Sequence, residues 1–98
     1  MYISPLAVAN IYYIICKLST KAKAFKYVSK INLLVNIAKM DARIVEQALA
    51  ATQFTDFEDA LQYYTALGCA ATHMITRNKK DYKHSIIPVY NAKEFLGL

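Results

Sequence analysis

The chain has 98 residues, of which 56% are apolar and only 19% charged, with two glycines and two prolines. This length suits one small domain, and the composition excludes a disordered tail, a collagen-like repeat and a low-complexity linker. Two cysteines are too few for a disulfide scaffold, which predicts a reducing, cytoplasmic compartment. A chain this short and apolar also predicts a core that is completed by a partner or by further chain.

The net charge of +5 is concentrated in the first 40 residues, which hold six lysines and no acidic residue. Residues 41–98 hold six basic and seven acidic residues, a net charge of −1. A basic segment suits a polyanion, either a nucleic acid or an acidic partner, although a solvated lysine face on an ordinary helix has the same composition. The uncharged run from Leu6 to Cys16 is shorter than the roughly 20 residues of a membrane helix, so we expect no membrane partner.

The first part of the chain predicts a strand followed by a helix. Tyr2-Ile3 is typical of a strand end, and Ser4 can cap a helix that has Pro5 at its first position. The helix from Leu6 to Leu18 is apolar nearly all round, so we expect it to be buried.

A second helix is predicted over Lys21–Leu34, with Ser19 and Thr20 as its cap, and Val35–Met40 is a candidate strand. Apolar positions recur at helical spacing along one face of this helix. Its other face carries three lysines, Lys23, Lys26 and Lys30.

Two further helices follow. Asp41 can cap a helix over Ala42–Ala51. Four of its apolar residues are expected to point inward: Ile44, Val45, Ala48 and Leu49. The next helix begins with a capping box, in which Thr55 and Glu58 bond each other's backbone N–H groups. We expect it to run to Leu67, with Gly68 in the left-handed conformation that ends a helix.

The last part of the chain predicts two strands and a short helix. A strand over Thr72–Thr76, a polar loop over Arg77–Ser85 and a short edge strand over Ile86–Tyr90 precede a turn over Ala92–Leu96 that Asn91 caps. Strands alternate with helices along the chain, which predicts an α/β domain with a mostly parallel sheet.

Acidic side chains cluster around one predicted helix start. Asp56, Glu58 and Asp59 fall in its first turn, and Asp81 follows the strand that ends at Thr76. Strand ends and helix starts share one edge of a parallel sheet, so Thr76, Arg77 and Asn78 are expected to lie near this turn. Their oxygens suit Mg²⁺ or Mn²⁺. The alternative is that these acids only complement the helix dipole.

Two segments resemble the signature of PIN-domain proteins, the ribonuclease fold that includes the VapC-like toxins. They are T-D-F-E-D-A-L-Q at residues 55–62 and I-T-R-N-K-K-D-Y at residues 75–82, and the likeness extends over nearly the whole chain. The resemblance implies a three-layer α/β/α sandwich with a short, mostly parallel sheet. It also implies a metal-dependent endoribonuclease that uses Mg²⁺ or Mn²⁺ to activate water for attack on an RNA phosphodiester.

The resemblance also implies roles for individual residues. Asp59 is expected to be a catalytic metal ligand, and Asn78 stands where the family has a second ligand, Asp or Asn. Thr76 is expected to bond a metal-bound water, and Asn10 occupies the place of a helix glutamate in the site. Five basic residues are expected to contact RNA: Lys23, Lys26, Lys30, Arg77 and Lys79.

The chain departs from the family at its beginning. The family's first strand, normally central in the sheet, carries the first metal-binding aspartate, and it has no counterpart before Tyr2. We therefore expect residues 1–98 to form a single PIN-like domain that is truncated at its N-terminus, naturally or by a misplaced start codon. Because Asn10 and Asn78 are neutral, the sequence leaves the enzyme assignment open. The alternatives are a non-catalytic module that binds RNA or an antitoxin-like protein, and a homo-oligomer joined across the open sheet edge.

Overall fold

The computed structural model describes residues 1–97 and divides the chain into two compact units. Unit 1 comprises residues 1–40 and unit 2 comprises residues 41–98. The fold is mixed α/β, and every strand pair in the described part of the chain is short and parallel. Among residues 1–97, no helix combines the length and the apolarity that crossing a bilayer requires.

Unit 1 consists of two strands and the two helices that connect them. These are β1 (Tyr2–Ile3), α1 (Pro5–Leu18), α2 (Lys21–Leu34) and β2 (Asn36–Ile37). The strands pair in parallel, with Tyr2 opposite Asn36. The two predicted caps are confirmed, because the Ser4 hydroxyl accepts the N–H of Ala7 at 3.0 Å and the Thr20 hydroxyl accepts the N–H of Lys23 at 3.1 Å. Local capping chemistry therefore fixes both helix starts.

The prediction that the first helix is buried is wrong. None of the residues Pro5–Leu18 is buried, and Tyr13, Ile14 and Leu18 are 67%, 56% and 83% exposed. The physical reason is that too few residues pack against this helix to bury it. Within residues 1–40, the buried apolar side chains are those of Ala24 and Ala38 alone. Unit 1 is thus a helical hairpin and a strand pair with hardly any core of their own.

Unit 2 contains a helical pair and a second parallel strand pair. Its elements are α3 (Ala42–Ala50), α4 (Phe57–Gly68), β3 (Met74–Ile75), a 3-10 turn (Lys79–Tyr82), β4 (Val89–Tyr90) and α5 (Ala92–Leu96). Met74 lies opposite Val89 in the β3–β4 pair. Within the described residues, this pair and the β1–β2 pair are separate two-stranded sheets, so the expected parallel pairing is confirmed in two pairs.

The core of unit 2 lies along one narrow stripe of each helix. Ile44 and Ala48 of α3 are buried, as predicted, whereas Val45 and Leu49 are 37% and 71% exposed. The inward prediction for these last two is therefore wrong. Each lies one residue beyond a buried position, which turns it about 100° around the helix axis and away from α4. The α4 side of the core is formed by buried Ala60, Tyr63 and Thr65.

The start and the end of α4 differ from the sequence prediction. Its cap is Asp56, whose Oδ1 accepts the N–H of Asp59 at 3.1 Å, so the helix begins at Phe57. The predicted capping box at Thr55 is wrong, because the neighbouring carboxylate takes the capping position. Gly68 is the last helical residue, without a positive φ, and the left-handed residue is Ala70 at φ 56°.

A capping box does form at the last helix. The Asn91 Oδ1 accepts the N–H of Glu94 at 2.7 Å, and the Glu94 Oε1 accepts the N–H of Asn91 at 3.0 Å. The predicted Asn91 cap is thereby confirmed, and a reciprocal bond is added to it.

We predict that Asp56→Ala lowers the free energy of unfolding by about 1 kcal/mol, the usual cost of a lost helix cap. In a chain of this size, that corresponds to a fall in melting temperature of about 4–8 °C. Thr55→Ala should leave the melting temperature nearly unchanged. Asp56→Ser should lower it less than Asp56→Ala does, because serine is also a good helix cap. Thermal melts followed by circular dichroism measure all three. A larger fall in melting temperature for Thr55→Ala than for Asp56→Ala would show that Thr55 is the helix cap.

Candidate functional site

The carboxylate of Asp59 is held between α4 and the 3-10 turn of unit 2. Asp59 lies in the first turn of α4 and is half-buried. The hydroxyl of Tyr82 donates a hydrogen bond of 3.4 Å to its Oδ1. Tyr82 ends the 3-10 turn and is only 6% exposed, so the bond comes from a side chain with little freedom to move. The contact therefore places one carboxylate oxygen of Asp59 against the Tyr82 hydroxyl.

Burial and neighbouring acids disfavour the ionised form of Asp59. Burial, and then the carboxylates of Asp56 and Asp81, raise the pKa of Asp59, while the Tyr82 hydrogen bond acts in the opposite direction. Burial and the Asp59 carboxylate likewise raise the pKa of the Tyr82 hydroxyl, which therefore stays protonated and remains a donor. A cation placed here would relieve the repulsion among these carboxylates.

Thr76 and Asn78 stand directly after β3, where the chain enters the 3-10 turn. The N–H of Asn78 donates to the Thr76 hydroxyl at 3.2 Å, and the N–H of Asp81 donates to the Asn78 carbonyl at 3.1 Å. A continuous run of hydrogen bonds thus links the end of β3 to the turn that carries Tyr82. The predicted residues Asp59, Thr76 and Asn78 all lie in unit 2, and the Tyr82 hydroxyl joins the Asp59 carboxylate to the 3-10 turn that follows Asn78.

The remaining predicted site residue, Asn10, lies in unit 1. It is exposed on α1 and lines a shallow depression together with Tyr13, Ile14, Cys16 and Lys17. Asp59, Thr76 and Asn78 belong to unit 2.

The donor set of unit 2 fits a hard cation in kind. Asp59 offers a carboxylate, Asn78 an amide oxygen and Thr76 a hydroxyl, which are the oxygen ligands that Mg²⁺ and Mn²⁺ prefer. In number the set is small, since no group of three or more His, Cys, Asp or Glu side chains within residues 1–97 is arranged to hold a metal ion.

The predicted RNA-contacting lysines of unit 1 form an exposed row on α2. Lys23, Lys26 and Lys30 are all exposed, and the Lys30 Nζ lies 5.7 Å from the centre of the Tyr27 ring. We call these three lysines with Tyr27 the basic face. The first turn of α2 contains Lys21 and Lys23 and no acid, although the helix dipole disfavours positive charge there. Helix stability therefore does not explain the placement of these lysines.

The two predicted RNA contacts of unit 2 differ from each other. Arg77 is exposed. Lys79 forms an ion pair of 2.9 Å with Glu94, and both side chains are 44% exposed. The carboxylate offsets part of the lysine charge, so Lys79 is the weaker candidate for a phosphate contact.

Sequence reasoning missed the aromatic cluster that supports Asp59. Phe54 lies 5.2 Å from Tyr63 and 6.0 Å from Tyr82, measured between ring centres. The Tyr63 hydroxyl accepts the N–H of Ile86 at 3.0 Å. The sequence of residues 77–85 is typical of a polar loop. Within it, Tyr82 is the one aromatic residue, and its presence was the only indication of a buried cluster.

No protein-family model, curated protein or solved structure matches this chain. A functional proposal therefore rests on the residues and contacts described above.

We predict that Asp59→Asn stabilises the metal-free protein at pH 7. The raised pKa of Asp59 means that folding disfavours its ionised form. The stabilising contribution of the protonated form is complete below the ordinary carboxyl pKa and is lost as the pH rises through the folded value. Asparagine removes the charge and keeps an acceptor for Tyr82.

Because Asp59 is partly exposed, we expect a gain below about 1 kcal/mol, seen as a melting temperature higher by at most about 4–8 °C. The difference should vanish near pH 3, and Glu46→Gln on exposed α3 is the control. Equal melting temperatures of the wild type and Asp59→Asn at pH 7 would contradict the repulsion described above.

Proposed function

We propose that this chain is a PIN-like, metal-dependent endoribonuclease module that hydrolyses RNA phosphodiesters with slow turnover. One observation carries this proposal. The Asp59 carboxylate is half-buried, the charges of Asp56 and Asp81 raise its pKa, and it accepts a hydrogen bond from a buried tyrosine, in the unit where Thr76 and Asn78 follow a parallel strand. A carboxylate whose pKa is raised by burial and by neighbouring acids is typical of a functional site, where a cation would relieve the repulsion.

The proposed architecture is the three-layer α/β/α sandwich that the sequence resemblance implies. Its support is the parallel pairing of both strand pairs, with helices before and after them in the chain. We propose a cytoplasmic location, because Cys16 and Cys69 are both free thiols.

In this proposal, Asp59 and Asn78 would hold Mg²⁺ or Mn²⁺. The bound cation would activate water and offset negative charge on the leaving oxygen. Asp59 supplies the charge that attracts the cation, and Tyr82 orients its Oδ1. The Thr76 hydroxyl accepts the Asn78 N–H and can still donate its own proton to a water molecule.

Turnover should be slow because a single carboxylate binds a divalent cation weakly. Asn78 contributes a dipole and no charge, whereas tight Mg²⁺ sites use more carboxylates or the phosphates of the substrate. The substrate itself would then have to complete the site.

We predict that cleavage of a 5′-labelled single-stranded RNA requires Mn²⁺ and is abolished in Asp59→Asn. Glu46→Gln, which removes an exposed carboxylate from α3, should cleave at the wild-type rate. Denaturing gels of the RNA products give the rates. Equal Mn²⁺-dependent cleavage by Asp59→Asn and wild type would overturn the role of Asp59 as a ligand.

A second candidate is RNA binding without cleavage. It is favoured by the six lysines of unit 1, all of which are exposed, in a segment with no acidic residue. The basic face of α2 presents three of them beside Tyr27, whose ring is 48% exposed and accessible to a base. The other partner that we propose for such a non-catalytic module is an antitoxin-like protein.

We predict that replacing Lys23, Lys26 and Lys30 together with glutamine weakens binding of single-stranded RNA. Each lost phosphate contact should lower the slope of log affinity against log salt by about 0.7, so the triple variant should lose roughly 2 from that slope. A matched control replaces Lys80, Lys83 and Lys93, which are exposed lysines of unit 2, with glutamine. Fluorescence anisotropy at several salt concentrations measures both, and equal slopes for the two variants would reject the basic face.

A further inference from the structure

The ammonium group of Lys79 is held by a carboxylate at the surface of unit 2. Its Nζ lies 2.9 Å from Oε1 and 3.1 Å from Oε2 of Glu94, so one cation contacts both carboxylate oxygens. Both side chains are 44% exposed, and exposed ion pairs are weak because water and salt screen them. This pair is therefore a contact that another anion can displace.

The Glu94 carboxylate is placed by the start of α5, independently of the lysine. Its Oε1 accepts the N–H of Asn91 at 3.0 Å, and the Asn91 Oδ1 accepts the N–H of Glu94 at 2.7 Å, which completes the capping box. The same helix has a second anchor in Phe95, whose ring stacks on that of His73 with their centres 5.0 Å apart. Helix α5 thus has contacts of its own that hold it, besides the ion pair.

Lys79 stands next to the residues of the candidate site. It directly follows Asn78 and opens the 3-10 turn that ends at Tyr82. Residues three apart in a 3-10 helix lie one above the other, so Lys79 is on the side of the turn that carries Tyr82. The Tyr82 hydroxyl contacts Asp59. A phosphate group on Lys79 would therefore lie beside the residues that we propose to act on RNA.

A carboxylate and a phosphate group present similar chemistry to a lysine, since each offers oxygen atoms that share negative charge. Arg77 lies two residues before Lys79 and is exposed, which adds a second positive charge at this place. We propose that Glu94 occupies, in the free protein, the position on Lys79 that a phosphate of single-stranded RNA takes in the complex. Glu94 is then an internal competitor of the RNA. The inference rests on the RNA substrate of the proposed function and assigns a residue that limits the affinity for it.

Glu94→Gln tests this exchange, because glutamine also completes a capping box and lacks the charge that holds Lys79. Fluorescence anisotropy of a labelled single-stranded RNA, with EDTA present to prevent cleavage, gives the affinity. We expect Glu94→Gln to bind about two- to fivefold more tightly than wild type at low salt, the range that an exposed ion pair allows. The slope of log affinity against log salt should steepen by about 0.7, the value for one further phosphate contact.

Two further variants separate a freed lysine from a general effect of charge. Glu46→Gln removes an exposed carboxylate from α3 and measures the gain that follows from net charge alone. In a Lys79→Gln background, Glu94→Gln should raise the affinity for RNA no more than Glu46→Gln does in the wild type. A gain for Glu94→Gln that persists without Lys79, or that equals the gain for Glu46→Gln, would overturn the proposal.

The remaining outcomes distinguish this inference from the ribonuclease proposal. If Glu94→Gln and Lys79→Gln lower the melting temperature equally and RNA affinity does not rise, the pair only holds α5 against the turn and the exchange is rejected. Absence of RNA binding by wild type and Glu94→Gln alike would also overturn it. Tighter binding by Glu94→Gln without any Mn²⁺-dependent cleavage would support the exchange and reject the ribonuclease activity.

Discussion

Parallel pairing is the constraint on which both units depend. Two parallel strands cannot be joined by a tight turn, because the chain must return to the starting edge before the second strand begins. In unit 1, the return consists of α1 and α2. In unit 2, the return between Ile75 and Val89 contains the 3-10 turn, so Thr76, Asn78, Asp81 and Tyr82 all lie on the connection. The candidate site is thus built on a segment whose path the sheet requires.

The two units divide the chemistry of the chain between them. Unit 1 carries the net positive charge and the exposed apolar helix, while unit 2 carries all seven acidic residues together with six basic ones. Repulsion among neighbouring carboxylates and an excess of lysines both cost free energy in the isolated protein. Each of these costs is relieved by a ligand of opposite charge, a cation in unit 2 and a polyanion or acidic partner in unit 1. This complementarity is the common basis of the proposals.

The sequence predicted those features that depend on a few neighbouring residues. The caps at Ser4, Thr20, Asp41 and Asn91 are local hydrogen bonds, and all four form as predicted. The cap of α4 was misplaced by one residue because Thr55 and Asp56 are both good caps. Local pattern alone does not choose between them.

Features that depend on distant residues could not be predicted in this way. The exposure of α1 depends on how much chain is available to cover it, and periodicity carries no such information. The contact of Tyr82 with Asp59 joins residues 23 positions apart, across a segment that reads as a polar loop. The family resemblance predicted Asp59 as a site residue, but it did not predict that Tyr82 contacts the Asp59 carboxylate.

The excess of lysines in unit 1 has a consequence for how its folding responds to ionic strength. Unit 1 holds six lysines and no acidic residue of its own, and dissolved salt screens the repulsion among its positive side chains. Added salt should therefore make the ligand-free unit harder to unfold, while it releases any polyanion that the unit holds. High ionic strength therefore favours the ligand-free fold, and low ionic strength favours its complexes. At low ionic strength, the stability of unit 1 depends most on a bound partner.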